Sequence, residues 1–238
     1  MRFQDKENNM GFENADFKNY ERELKYLLTG VSKLSLDQVV HFLNGYGYKV
    51  VETVAKEKHE AYYDDKKFTL IKKGEVMRRS KHIHVAEEQF SGFVYKKSMN
   101  DPTKPYVSKL ELGESGQHET VEEFLAKLGL DIEVLADPVL YAVMLRDVAI
   151  VEKNFDRLYI SYDKTDYFRN IGAEKVYEEM LEIEDWNRPN STEGDYSYDK
   201  HLLEVNNIVL NGELPVKLTK DTKPYRGYKI LIESTETN

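Results

Sequence analysis

The run Glu21-Arg22-Glu23-Leu24-Lys25 decides the fold class, because every second residue from Glu21 is charged, as on the polar face of a strand. Side chains two residues apart lie on the same face of a β-strand. Glu21, Glu23 and Lys25 therefore share one face, and Leu24 starts the apolar face opposite. The charged face lies either in solvent or inside a polar barrel. In a barrel, its carboxylates could hold a hard divalent cation beside a polyanion, because such cations prefer oxygen ligands.

Strands of the same kind recur along the chain. The clearest are Lys109-Leu110-Glu111-Leu112, Tyr159-Ile160-Ser161-Tyr162-Asp163 and Glu182-Ile183-Glu184. If these strands close into a barrel, carboxylates converge and raise one another's pKa unless Lys, Arg or a metal neutralises them. Such a lumen suits a metal-bound polyphosphate, since carboxylates hold Mg²⁺ or Mn²⁺ and basic residues hold phosphate oxygens. A solvated sheet face is the alternative explanation of the same alternation.

Composition narrows the class of protein. The length of 238 residues fits one domain with a real core. The 43 acidic and 34 basic residues give a net charge of −9, which excludes broad affinity for nucleic acid and requires a local basic cluster for any anion site. The absence of cysteine excludes disulfides and thiolate metal sites and fits a reducing interior.

We therefore expect a cytoplasmic protein with no membrane segment. No apolar run approaches transmembrane length, and residues 1–17 lack the apolar core of a signal peptide. We expect residues 1–17 to form a flexible N-terminal segment, and residues 18–238 to form a single domain.

Strands outnumber helices in the predicted secondary structure. The capping boxes that begin at Ser35 and Thr120 each predict a helix, and a third helix is predicted over Tyr196–Leu210. Val139–Val151 fits either a helix or a strand. Many strands and few helices predict an α+β fold with a mainly antiparallel sheet. The strands are predicted at Asn19–Leu28, Tyr48–Val54, Glu60–Asp64, Phe68–Ile71, Val76–His84, Phe90–Lys97, Tyr106–Leu112, Leu158–Asp163 and Val176–Trp186.

The order of these segments resembles the CYTH family of triphosphate tunnel metalloenzymes, which includes inorganic triphosphatases, thiamine triphosphatases and class IV adenylyl cyclases. Its opening E-x-E-x-K signature matches Glu21, Glu23 and Lys25. Ser80 and Lys109 stand where the family pattern has arginines. The remaining motifs, in order, are similar to Tyr62-Tyr63-Asp64, Gly74–Ser80, Gly92–Lys96, Lys109-Leu110-Glu111, Arg146, Ile160–Asp163, Leu181–Glu184 and Lys223–Tyr228.

This resemblance implies an α+β fold in which an eight-stranded antiparallel strand set closes into a tunnel barrel, with helices packed outside. The bore would bind a small-molecule triphosphate with Mg²⁺ or Mn²⁺. The implied metal ligands are Glu21, Glu23, Glu111 and Glu184. The implied catalytic carboxylates are Asp163, Glu182 and Glu184. The implied phosphate-binding residues are Lys25, Arg78, Lys96, Lys109, Arg146 and Lys223.

The activity that the resemblance implies is metal-dependent hydrolysis of inorganic triphosphate, thiamine triphosphate or a nucleoside triphosphate. Two alternatives use the same bore. In a class IV-type adenylyl cyclase, the ribose 3′-hydroxyl attacks instead of water. In a non-catalytic module, the bore binds polyphosphate or a nucleotide without turnover.

Overall fold

The computed structural model describes residues 17–29, 34–82, 90–99, 101–113, 120–170, 172–185, 199–212 and 214–233. The strands are β1 (Phe17–Leu28), β2 (Lys49–Tyr63), β3 (Val76–His82), β4 (Phe90–Ser98), β5 (Val107–Gly113), β6 (Leu140–Lys153), β7 (Asp156–Phe168), β8 (Val176–Asp185) and β9 (Val216–Thr219). The helices are α1 (Leu36–Asn44), α2 (Thr69–Lys72), α3 (Val121–Lys127), α4 (Asp199–Asn211) and α5 (Lys223–Tyr228), followed by a π-helical turn (Lys229–Glu233).

Eight of these strands form a closed antiparallel barrel. Their order is β5-β4-β3-β2-β6-β7-β8-β1, and β1 pairs back with β5 to close the sheet. The short strand β9 pairs with the C-terminal half of β1. The register places Glu21 opposite Lys109 and Glu23 opposite Glu184, so that the charged faces of β1, β5 and β8 lie side by side. The predicted α+β tunnel barrel is confirmed.

The apolar core lies outside the barrel wall. Leu24, Leu181 and Ile183 are fully buried in one cluster with residues of α1 and α4, and Leu112 is buried in a second cluster with residues of α3. Fully burying one large aliphatic side chain contributes about 1.5–3 kcal/mol. Because the apolar faces are held outward by the helices, the alternation of each strand directs its charged face into the bore.

Both predicted capping boxes are present. The Ser35 hydroxyl accepts a hydrogen bond from the Gln38 backbone N–H at 3.3 Å, and the Gln38 side chain accepts one from the Ser35 N–H at 2.9 Å. Thr120 and Glu123 make the same reciprocal pair at 3.2 and 2.9 Å. These caps satisfy backbone donors that a helix start leaves without partners.

The strand prediction at Phe68–Ile71 is wrong. Phe68 has a φ of 58° and is followed by α2. The buried Asp64 carboxylate accepts hydrogen bonds from the backbone N–H groups of Leu70 at 3.0 Å and Ile71 at 2.8 Å. These two bonds require consecutive N–H groups to point the same way, as they do in a helix start and not in a strand.

Other boundaries differ in smaller ways. The two strands predicted between Tyr48 and Asp64 form the single strand β2, and the ambiguous segment Val139–Val151 is the strand β6. Helix α5 and strand β9 were not predicted. Residues 1–16 of the predicted flexible segment lie outside the described residues, as do positions 83–84, 186 and 196–198 at the ends of predicted elements, while residue 17 begins β1. In the part of the chain that the structure describes, each helix is too short or too polar to cross a membrane.

Candidate active site

The barrel encloses a charged cavity of about 440 Å³, counting the solvent at its mouth. Ten of the twelve site residues named from the sequence line it. The other two do not line the cavity but form ion pairs with residues that do: Asp163 with Arg146, and Glu111 with Lys96. The ten are Glu21, Glu23, Lys25, Arg78, Lys96, Lys109, Arg146, Glu182, Glu184 and Lys223.

Three carboxylates meet on one wall of the cavity. Glu21, Glu23 and Glu184 each place an oxygen within 4.8 Å of the other two. Among the described residues, no cation or hydrogen-bond donor contacts the Glu184 carboxylate. Burial, followed by the negative charges of Glu21 and Glu23, raises the pKa of Glu184 to about 8. Three converging oxygen donors with excess negative charge are the ligand set that Mg²⁺ or Mn²⁺ prefers, so the residues present fit such an ion.

Lysines flank this trio of carboxylates. Glu23 contacts the ammonium of Lys25 at 2.9 Å and that of Lys109 at 2.8 Å. Burial alone would raise the pKa of Glu23, but Lys109 and Lys25 hold it below its usual value. The Lys96 ammonium donates to both oxygens of Glu21, at 2.8 and 2.7 Å. The cations that the sequence assigned to phosphate therefore lie beside the carboxylates assigned to metal.

A second cluster surrounds Asp163 and Glu182. Arg146 donates to Asp163 through Nε at 2.6 Å and through Nη2 at 2.7 Å, in a bidentate pair, and Nη2 also reaches Glu182 at 3.1 Å. Lys223 lies 3.0 Å from Asp163 and also donates to Glu182, which in addition accepts from Lys25. Burial would raise the pKa of Glu182, but Lys223, Lys25 and Arg146 hold it well below its usual value. Asp163 and Glu182 thus orient the cations around them.

Sequence reasoning missed a third cluster, centred on Glu60. This buried carboxylate accepts hydrogen bonds from Arg78 at 2.5 Å, from Ser80 at 3.3 Å and from the hydroxyl of Tyr62. Lys58 lies 2.6 Å from it. Lys58, Glu60 and Tyr62 alternate along β2 as Glu21, Glu23 and Lys25 do along β1, so the same period would have found them. The split of β2 into two predicted strands hid that pattern.

The alternation of side chains along β3 determines which of them point into the bore. Ser80 points into the bore, and the guanidinium of Arg79 lies 4.7 Å from the ring of Phe93 on the outer face.

Helix α5 also contributes to the cavity. Lys223 is its first residue, and Thr222 caps its N-terminus. Thr222 and Lys223 both line the cavity, so the start of α5 forms part of the cavity wall.

Several known structures share this architecture, although no family model and no curated protein matches the sequence. The PH1819 protein from Pyrococcus horikoshii OT3 matches with a TM-score of 0.52 and 20% identity, over 93% of this chain and 100% of that one. A candidate adenylate cyclase from Bacillus halodurans matches with a TM-score of 0.50 and 15% identity, over 88% and 97%. This chain has the CYTH-type tunnel fold.

A further match to the tunnel fold is HpAC1 from Hippeastrum, whose structure is described as revealing a dominant triphosphatase activity. It is 14% identical and covers 87% of this chain and 95% of its own, with a TM-score of 0.43. The identities of all three proteins are low enough that the likeness concerns the fold alone.

Proposed function

We propose that the bore binds a small-molecule triphosphate together with Mg²⁺ or Mn²⁺ and hydrolyses it. The supporting observation is that Glu21, Glu23 and Glu184 converge on one wall of a cavity whose other walls present lysine and arginine side chains. Carboxylates alone would repel a triphosphate, and cations alone would not explain three converging acids. The two sets together suit a phosphate chain that carries a metal ion. The proposed location of the protein is the cytoplasm.

In this proposal, the carboxylate trio holds the metal ion, and Glu111 supports it from behind Lys96. When bound, a divalent cation neutralises and polarises phosphate oxygens. The residues proposed to bind phosphate oxygens are Lys25, Arg78, Lys96, Lys109, Arg146 and Lys223. Their charge stabilises the negative charge that develops on the phosphate in the transition state, which is commonly the largest contribution to catalysis.

The three proposed catalytic carboxylates have different tasks. Asp163 and Glu182 position Arg146 and Lys223, so that these cations are already oriented when the phosphate arrives. Glu184 contacts none of the described cations and faces the cavity directly. It is the carboxylate proposed to orient the attacking water for in-line displacement of the leaving phosphate.

The experiment is an assay of phosphate release from tripolyphosphate, thiamine triphosphate and ATP, each with Mg²⁺, with Mn²⁺ and with EDTA. We expect release with either metal and none with EDTA. Glu184→Gln should reduce turnover about 100-fold or more, because it removes the charge that would hold the metal. Glu179→Gln is the matched control, since Glu179 lies on the outer face of the same strand and bonds to Tyr162.

The candidate adenylate cyclase among the structural neighbours favours one second function for the same bore. Formation of cyclic AMP from ATP, in place of phosphate, would assign the attack to the ribose 3′-hydroxyl. Binding of tripolyphosphate without turnover in either metal would contradict the enzyme and leave a binding module. Equal turnover by Glu184→Gln and the unaltered protein would contradict the role of this carboxylate.

A further inference from the structure

Lys58 has no role in the assignments above, yet it lies in the bore. It stands on β2, lines the cavity and is 8% exposed. Its ammonium lies 2.6 Å from Glu60. The side chain therefore presents a buried cation to the same space as Arg78, which lies opposite Tyr62 on the neighbouring strand.

The charges on this wall do not balance. Glu60 is the carboxylate that contacts both Lys58 and Arg78, and within the described ranges neither cation has a second carboxylate at ion-pair distance. Arg146 faces Lys58 from β6 and adds positive charge, although its own partners are Asp163 and Glu182. The two cations thus share one contacting carboxylate, and the charges of Glu111 and Glu21 act on Arg78 from farther away. A buried cation with little negative charge beside it, such as Lys58, is unfavourable.

One hydrogen-bond donor on this wall also lacks an acceptor among the described residues. The Nε of Arg78 is buried and has no acceptor among the residues that the structure describes. Burial, followed by the positive charge of Arg78, lowers the pKa of Lys58 to about 7. Both groups therefore lack negative charge or acceptor atoms, and an anion seated in the cavity would supply both.

We propose that Lys58 is a phosphate-binding residue, which acts with Arg78 on one phosphate group while Glu60 holds both cations in place. This inference rests on the proposed function and extends it by naming a contact of the triphosphate. Phosphate oxygens accept hydrogen bonds from ammonium and guanidinium groups more strongly than neutral acceptors do. The bound phosphate provides an acceptor for the Nε of Arg78 and a second anionic contact for Lys58.

The test measures the affinity for tripolyphosphate in the presence of Mg²⁺, as the KM of phosphate release where the protein turns it over and by isothermal titration calorimetry where it does not. Lys58→Met keeps the apolar stem and removes the ammonium, and we expect it to weaken binding about tenfold or more. Lys164→Met is the matched control, since Lys164 lies on the outer face of β7 over the ring of Tyr162. Thermal unfolding is measured for every variant. If Lys58→Met does not fold, Lys58→Gln, which retains a donor for Glu60, replaces it.

A rescue variant separates a direct contact from a structural effect. The Ser80 hydroxyl already bonds to Glu60, so a longer cationic side chain at position 80 would reach the same carboxylate from β3. We expect K58M/S80R to recover most of the lost affinity. Weakened binding in K58M, unchanged binding in K164M and recovery in the double variant would together support the proposal.

Three results would overturn it. Unchanged affinity in K58M would remove Lys58 from the binding site and leave the proposed function intact. Weakened affinity that S80R does not restore would assign the loss to a disturbed Arg78 and remove the direct contact. Failure of the unaltered protein to bind tripolyphosphate at all would overturn the proposed function and this inference together.

Discussion

Removing the charge of Glu184 is expected to stabilise the metal-free protein at alkaline pH. Burial, followed by the negative charges of Glu21 and Glu23, raises the pKa of Glu184 from 4.5 to about 8. A carboxyl group whose pKa is higher in the folded state than in the unfolded state opposes folding when it ionises. Its protonated form is fully compatible with the fold below pH 4.5, and stability is lost as the pH rises through about 8. Glu184→Gln imitates the protonated form at every pH.

The magnitude follows from the two pKa values. A rise from 4.5 to about 8 corresponds to about 5 kcal/mol of unfavourable free energy at high pH. Part of the Glu184 side chain contacts solvent, and screening reduces the measurable effect to about 2 kcal/mol. For a protein of this length, that gain raises the melting temperature by about 4–8 °C.

The assay is thermal unfolding in EDTA at pH 5, 7 and 9. We expect Glu184→Gln to melt at the same temperature as the unaltered protein at pH 5 and at a higher temperature at pH 9. Glu111→Gln is the control with the opposite sign, because Lys96 and Arg78 overcome the effect of burial and lower the pKa of Glu111. Its ionised form favours the fold above about pH 4.5, so its loss should lower the melting temperature at pH 7.

Addition of Mn²⁺ completes the test. The ion should stabilise the unaltered protein, by about 2.7 kcal/mol at one hundred times its dissociation constant, and should stabilise Glu184→Gln much less. Equal melting temperatures of the two proteins at pH 9 would refute the electrostatic reasoning. Equal stabilisation of both by Mn²⁺ would refute the assignment of the trio as a metal site.

Two more predictions concern the walls of the bore. Lys25→Ala should raise KM for tripolyphosphate about tenfold, and lower kcat as well if the contact strengthens in the transition state, as measured by initial rates. Gly227→Ala should destabilise the protein by about 1–3 kcal/mol in chemical denaturation, because a Cβ atom there would lie 2.6 Å from the ring of Tyr167 and 3.0 Å from Leu140; unchanged stability would mean that α5 packs less tightly than the structure has it.

The charged faces could be predicted because a strand repeats every two residues, whatever its partners are. That period placed Glu21, Glu23 and Lys25 on one face, and all three line the cavity. Helix starts were equally local, since each capping box is contained within four residues. The helix starts at Ser35 and Thr120, which depend on local geometry alone, are therefore confirmed.

A contact that the hydrophobic pattern does not show accounts for the error at α2. The side chain of Asp64 determines the start of α2 through hydrogen bonds to residues 70 and 71, and no propensity of Phe68 or Ile71 reveals them. Closure of the barrel pairs β1 with β5, with Glu21 opposite Lys109, which are far apart in the sequence. The two-residue repeat of a strand predicts the face on which a side chain lies. It does not predict which residues lie opposite that side chain across the bore.

The difference between Glu182 and Glu184 shows how much those neighbours decide. The two residues share one face of β8 and one sequence motif, and both are acidic. Burial acts to raise the pKa of both residues. At Glu182, Lys223, Lys25 and Arg146 outweigh it and hold the pKa well below the usual value, whereas at Glu184 the charges of Glu21 and Glu23 add to it. The pKa values of two residues of the same type, two positions apart, are therefore shifted in opposite directions.

The balance of charge in the bore explains why metal and triphosphate belong together in the proposed function. Among the described residues, seven cations and six carboxylates form ion pairs around the cavity, while the seventh carboxylate, Glu184, contacts no cation. An incoming triphosphate must therefore take cations away from carboxylates that already hold them. Each carboxylate released in this way would be a buried charge without a partner, which is strongly unfavourable. A divalent cation at Glu21, Glu23 and Glu184 removes part of that difficulty, because it neutralises the acids at the place where they are most crowded. The cations are Lys25, Lys58, Arg78, Lys96, Lys109, Arg146 and Lys223, and the carboxylates are Glu21, Glu23, Glu60, Glu111, Asp163, Glu182 and Glu184.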